Sequence, residues 1–190
     1  MIDDGEFIRG KVPMTKQEIR VLTIAKARLK PSDVVVDVGA GTGSLSIEAA
    51  MLCRKVYALE RNVEAIELIR KNIEKFSIDN VEIIHEEAPR GLDRIEKIDA
   101  ALIGGSGGFL TEILDALDQR LAPNGRIVLN CISIESVSKA LNWFRARENY
   151  LCDAIQVQIN RIERIGRVDM MKALNPIYII SAIKGGFDNV

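Results

Sequence analysis

The chain has 190 residues, 47% hydrophobic and 28% charged, the size and mix of one soluble globular unit that needs no disulfide or metal staple. Its 26 basic and 27 acidic residues leave a net charge of −1, which excludes the bulk positive field of a typical nucleic-acid binder. The longest uncharged run, Ala100 to Thr111, carries four glycines and is too short for the roughly 20 apolar residues of a membrane span.

Met1-Ile2-Asp3-Asp4 opens acidic and lacks the apolar core of a signal peptide, which points to the cytoplasm. Thr15, with Glu18 three residues on, forms the capping-box pattern ahead of a helical run from Lys16 to Leu29. Val34-Val35-Val36 with Val38 predicts a buried strand, and Leu45–Leu52 a helix. Lys55–Leu59 follows as a strand, Val63–Phe76 as a helix, then Asn80–Ile84 and Ile98–Ile103 as strands. Phe109–Leu121 predicts a helix that stops before the turn signal Pro123-Asn124-Gly125; Arg126–Asn130 is a strand and Glu135–Arg147 a helix. Strand and helix in alternation imply a doubly wound, Rossmann-like α/β domain. Asp153–Asn160 and Ile177–Ile183 both predict strands, with Gly166 and many charges but no convincing helix between them. They imply an antiparallel excursion at one end of the sheet. No linker or repeat suggests a second domain.

The chemically informative stretch is Asp37-Val38-Gly39-Ala40-Gly41-Thr42-Gly43-Ser44, between the first strand and its helix, where an open α/β sheet places its ligand crevice. A dinucleotide fingerprint requires G-x-G-x-x-G, but here Ser44 holds the sixth position and the third glycine comes one residue early. Glu60 ends the second strand about 20 residues on, where a carboxylate accepts both ribose hydroxyls of an adenosine. Asp37 separates two cofactor classes. A carboxylate in or behind the loop attracts an amino-acid ammonium group and repels a pyrophosphate, so S-adenosylmethionine fits better than a nicotinamide dinucleotide.

Asp37 to Gly43, followed by Ala58-Leu59-Glu60-Arg61-Asn62, resembles the cofactor site of class I S-adenosylmethionine-dependent methyltransferases over about residues 30–130. A closer resemblance adds Glu6-Phe7-Ile8-Arg9, Val12-Pro13-Met14-Thr15-Lys16, Glu87-Ala88-Pro89, the run from Ile103 to Gly108, and Ala173-Leu174-Asn175-Pro176. Together these are similar to the cobalt-precorrin-6B methyltransferase (decarboxylating) family, whose domain also forms the C-terminal half of fused precorrin-6Y methyltransferases. The resemblance implies a mostly parallel seven-stranded sheet with an antiparallel C-terminal strand. It implies a single domain, with residues 1–30 over the cofactor site, 31–130 as the cofactor-binding core and 131–190 on the substrate side. It also implies methylation at carbon 15 of a cobalt-precorrin in cobalamin biosynthesis, decarboxylation of the carbon-12 acetate, and a homo-oligomer, often a tetramer. Asn124 departs from the family's usual glycine, and Glu87 from an aspartate common among members.

The same resemblance assigns Thr15, Gly39, Ala40, Gly41, Thr42, Gly43, Arg61, Gly104 and Gly105 to the cofactor, beside Asp37 and Glu60, with Glu87 and Ala88 near the adenine. Gly104-Gly105-Ser106-Gly107-Gly108 exposes consecutive backbone N–H groups beside the crevice and leaves room for a wide ligand, which makes Gly107 and Gly108 substrate candidates. Lys16, Arg20 and Arg167 are the cationic substrate candidates. They come from two basic groups, Arg9, Lys11, Lys16, Arg20 and Arg161, Arg164, Arg167, Lys172, that a polycarboxylate corrinoid would need near its entrance. The lone His85 reads as structural or solvated, and it rules out any multi-histidine metal centre; no metal is expected. Cys53, Cys131 and Cys152 stand far apart and in no C-x-x-C pair, as in a reduced compartment. Trp143 and Phe144 fall inside a helix as core or subunit-contact residues. No residue presents itself as a general base. The competing readings are a methyltransferase acting on RNA or protein, a nicotinamide-dependent oxidoreductase, and a non-catalytic scaffold.

Overall fold

A computed structural model describes residues 1–185. After a short 3-10 turn at Asp4–Glu6, the elements are α1 (Gln17–Ala27), β1 (Val34–Val38), α2 (Ser44–Ala50), β2 (Lys55–Glu60), α3 (Val63–Lys75) and β3 (Val81–His85). A second 3-10 turn covers Arg90–Arg94. Then come β4 (Ile98–Ile103), α4 (Leu110–Arg120), β5 (Leu121–Cys131), α5 (Ile134–Arg145), β6 (Tyr150–Val157), β7 (Asn160–Ile165), β8 (Val168–Ala173) and β9 (Ile177–Lys184).

Seven strands form one sheet in the order β3-β2-β1-β4-β5-β9-β6. The first five are parallel, and β9 runs antiparallel between β5 and β6. Alternation within the central strands feeds two cores. Val36, Val38, Ala101, Ile103, Ile127 and Leu129 face one side, packed with residues of α4 and α5 such as Ile113, Leu117, Trp143 and Phe144. Val35, Ala100, Leu102 and Val128 face the other, with Ile19 and Ile24 of α1 and Leu45 and Ala49 of α2. Burial on both faces is why these strands read as unbroken apolar runs.

Three expectations change. The first concerns Thr15. Lys16 takes the N-cap position of α1 without a side-chain cap, and Glu18 pairs with Arg161 at 2.6 Å, so the capping box does not form. The second concerns the turn at Pro123-Asn124-Gly125, which is folded into β5 as an outward bulge. Ile98 pairs with Leu121 and Ala100 with Arg126, and Asn124 adopts φ 61°. The third concerns the tail. The strand begins at Tyr150, and the charged stretch that follows is an antiparallel hairpin, β7–β8, standing apart from the main sheet with every residue exposed. Its alternation carries no core signal because neither face is covered among the described residues.

Candidate active site

β1 is the switch point of the sheet: β2 lies on one side of it and β4 on the other. Loops leaving the carboxyl ends of β1 and β4 therefore diverge, and a crevice opens between them. It has a volume of about 630 Å³ and is walled by the segment Val12–Lys16, the loop after β1, and the ends of β2, β3, β4 and β5. This lies within the 300–1,000 Å³ range of small-molecule sites.

The glycine loop holds its shape by close backbone contact. Gly39, with φ 71°, packs so near Gly105 that a Cβ would stand 2.7 Å from the Gly105 carbonyl oxygen, and a Cβ on Gly104 would be 3.3 Å from the Gly39 carbonyl. Gly43 has φ 79° and lies against Ile69; it shapes the start of α2 and is not among the crevice-lining residues. Asn72, fully buried, donates to the Thr42 carbonyl at 3.0 Å and exchanges hydrogen bonds with the backbone of Ile8. One side chain thus ties the loop to the N-terminal segment.

Four acids line the crevice: Asp37, Glu60, Glu86 and Glu87. Glu60 accepts from the backbone N–H groups of Gly41, Arg61 and Asn62, each at 2.9 Å, which fixes its carboxylate at the end of β2. Asp37 is buried and accepts from the Ser46 hydroxyl at 2.6 Å, while its Oδ1 has no partner. Burial, with the nearby Glu60 charge as a smaller contribution, pushes its carboxyl up to about 6. Glu87, beyond β3, is held by Arg61, whose guanidinium also lies against Gly107, so that this ion pair spans the crevice mouth. The Thr42 hydroxyl and the Asn130 amide nitrogen are also buried and unpartnered on the crevice wall.

Of the residues singled out by sequence, Thr15, Lys16, Asp37, Gly39, Ala40, Gly41, Thr42, Glu60, Arg61, Glu87, Ala88, Gly104, Gly105 and Gly107 line this one crevice. Gly43, Gly108, Arg20 and Arg167 do not. Arg20 is fully buried beneath the N-terminal segment, where it donates to Asp4 at 2.7 Å, to the Thr15 carbonyl at 2.8 Å and to the Ile2 carbonyl at 2.5 Å. Its guanidinium also stacks on Phe7. That position makes it an anchor for the segment and removes it from the substrate's reach. Arg167 sits at the turn of the β7–β8 hairpin. Arg161, Arg164 and Lys172 of the same hairpin are taken up by Glu18, Asp169 and Glu163. His85 is exposed at the end of β3 and outside the crevice. Trp143 and Phe144 pack with Tyr150 in the core.

Other wall residues were given no site role by the sequence reading: Asn130 near the end of β5 and Ile132 just past it, Val157 at the end of β6 and Ile159 beyond it, and Ile177 at the start of β9, with Asn175 before it quoted only as part of a family motif. A lone polar residue ending an apolar strand is a faint signal for Asn130. Nothing local marks the end of β6, and the stretch before β9 carries only the family motif Ala173-Leu174-Asn175-Pro176; both reach the crevice because β9 returns beside β5.

Residues 7–184 match the profile of the family described as "Precorrin methyltransferase domain". The chain is 46% identical over 184 residues to a Sulfolobus acidocaldarius protein named probable cobalt-precorrin-6B C(15)-methyltransferase (decarboxylating), covering 94% of this chain and 95% of the relative. It is 38% identical to the Salmonella typhimurium cobalt-precorrin-6B C(15)-methyltransferase (decarboxylating), with 95% of each chain covered. A crystal structure of precorrin-6y C5,15-methyltransferase from Geobacter metallireducens superposes with a TM-score of 0.90 at 40% identity, covering 97% of this chain and 98% of the other. With the crevice at the β1 switch point and the antiparallel β9 both in place, the chain belongs to the precorrin methyltransferase domain family.

Proposed function

We propose that the protein is an S-adenosylmethionine-dependent methyltransferase that methylates carbon 15 of cobalt-precorrin-6B and decarboxylates its carbon-12 acetate, yielding cobalt-precorrin-7. The observation that carries this is the pairing of two acids across one glycine loop: Glu60 held by three backbone N–H groups, and Asp37 buried with one oxygen left over. An adenosine bearing an amino-acid tail needs both groups. Glu60 would accept the ribose hydroxyls, as it could for any adenosine cofactor, and Asp37 would face the ammonium, where a diphosphate would be repelled.

When bound, S-adenosylmethionine supplies a methyl group already activated as a sulfonium. The chain's contribution is therefore alignment, which is worth several kcal/mol without a strong base. Gly39, Gly104 and Gly105 keep the crevice floor free of side chains. Ala88 and Glu87 border the adenine end, and Thr15 with the rest of Val12–Lys16 roofs the site. Lys16 and Gly107 face the substrate side, where Lys16 offers a cation to a carboxylate arm.

The chain acts as one domain in this account, since its N-terminal segment, its glycine loop and its β6 and β9 ends all wall one crevice. It acts in the cytoplasm with free thiols at Cys53, Cys131 and Cys152. It also acts as a homo-oligomer, a tetramer by family resemblance. In support, the β7–β8 hairpin leaves Ile162 and Met171 75% and 81% exposed on one face, and Ile165, Val168 and Met170 exposed on the other, apolar surface that a second copy would cover.

Incubation with cobalt-precorrin-6B and methyl-labelled S-adenosylmethionine tests the proposal. The expected product gains one labelled methyl group and loses carbon dioxide. Transfer of label to RNA or protein instead, or no transfer, overturns it.

A further inference from the structure

Beyond the crevice, the carboxyl ends of β4 and β5 enclose a second, smaller cavity of about 210 Å³, which shares Gly104, Ser106, Asn130 and Ile132 with the larger one. We infer that this cavity is the subsite for the acetate arm that is lost as carbon dioxide; the inference rests on the function proposed above. Its volume is about a third of the crevice's. It suits a short side arm and is far too small for a macrocycle.

The chemistry of the walls decides which arm. A corrinoid carries several carboxylates, and those that only anchor the substrate are best met by lysine or arginine. An anchoring cation would stabilise the carboxylate that must break down, and so oppose decarboxylation. The lining of this cavity holds no charged side chain among the described residues: Ile103, Leu129 and Ile132 supply apolar surface, and Ser106, Ser136 and Asn130 supply neutral polar groups. A carboxylate moved there from water loses hydration without gaining a counter-charge, which favours the dispersed charge of the departing state. Asn130 stands where the two cavities join. The Thr23 hydroxyl gives its one proton to the Ile19 carbonyl at 2.7 Å and lies 3.0 Å from one end of the Asn130 amide, which it holds in place, while the other end of that amide is buried and unpartnered, free to orient an arm entering the smaller cavity.

The step balances within the substrate. The bond from the methylene to the carboxylate carbon breaks and its electron pair passes into the conjugated ring. Carbon dioxide departs, and the carbon left behind takes one proton from water to become a methyl group.

Ser136→Lys, which sets an ammonium in the cavity, tests the assignment beside Ser136→Gln, a neutral side chain of similar reach. The readout is the ratio of decarboxylated to methylated product by mass spectrometry, with thermal melting and S-adenosylhomocysteine binding confirming that each variant folds. The lysine variant is expected to lower that ratio at least about tenfold, accumulating methylated product that retains the acetate, and the glutamine variant, which takes up similar space without a charge, to lower it clearly less. An unchanged ratio in the lysine variant, or an equal fall in both variants, overturns the subsite. A wild-type enzyme that neither methylates nor decarboxylates the corrinoid overturns the underlying function instead, so the two failures are distinct.

Discussion

Ser46 donates its hydroxyl proton to Asp37 Oδ2 at 2.6 Å and its backbone N–H adds a weaker contribution, while Oδ1 is left unpartnered at the crevice wall. The Ser46 contacts do not offset the desolvation, to which the Glu60 charge adds, so the carboxyl rises from its ordinary 3.8 to about 6. A ligand ammonium at Oδ1 would restore the missing charge partner. Binding of S-adenosylhomocysteine, which keeps that ammonium, is therefore expected to weaken by up to about tenfold for each pH unit below 6. Asp37→Asn should bind more weakly at pH 8 and lose the pH dependence. Calorimetry from pH 5 to 8 reads both.

The same carboxyl predicts an opposite trend in stability without ligand. Its folded value lies above its unfolded one, so the folded state binds the proton more tightly between pH 3.8 and about 6. Its contribution opposes folding above pH 6 and is relieved as the pH falls towards 4. Melting curves should show Asp37→Asn stabilised relative to wild type at pH 8, with the advantage gone near pH 4.

Arg20 reaches the crevice only through the segment it anchors, by way of the Thr15 carbonyl at 2.8 Å. Arg20→Met leaves Asp4 and Glu48 without their buried partner and should cost about 3 kcal/mol of stability. It should also weaken S-adenosylhomocysteine binding by loosening the roof formed by Val12–Lys16. If stability falls but donor affinity, measured well below the melting point, is unchanged, the segment does not close the site.

Gly39 and Gly105 approach from opposite sides of the crevice floor and should respond differently to one methyl group. Gly39→Ala forces a side chain into the Gly105 backbone at φ 71° and should destabilise the fold by roughly 2–4 kcal/mol. A Cβ on Gly105 meets nothing within 4 Å. Gly105→Ala should therefore keep stability within about 0.5 kcal/mol and report through donor affinity whether a ligand lies against that backbone.

The hairpin prediction concerns assembly. Ile162 and Met171 face each other across β7 and β8 and are exposed. Ile162→Lys with Met171→Glu should leave the monomer fold intact, since neither residue belongs to a core cluster, and should shift the sedimentation coefficient to that of a monomer. Sedimentation unchanged from wild type would place any subunit contact elsewhere.

At the β5 bulge, Asn124 occupies a left-handed position with φ 61°. Asparagine is among the few residues other than glycine, the residue expected here from the family resemblance, that tolerate that region. Asn124→Val should cost about 1–2 kcal/mol by chemical denaturation, and Asn124→Gly much less.

The amino-acid sequence alone determined the alternation of strands and helices, the site after β1, and the chemical character of that site. Local pattern carries all of these: doubly buried strands read as apolar runs, Gly39, Gly41 and Gly43 mark backbone that no side chain fits, and Asp37 and Glu60 keep a fixed distance from them along the chain. The tertiary structure decided which charges face the crevice and which serve the fold. Arg20 and Lys16 look alike in a linear reading and share one side of the start of α1, where both approach Asp4, yet the N-terminal segment folds over the first and buries it while the second stays exposed at the crevice mouth. It also decided the far wall. Asn130, Val157 and Asn175 meet only because β9 doubles back between β5 and β6, and contacts made by strand order rather than by spacing leave no periodicity to read.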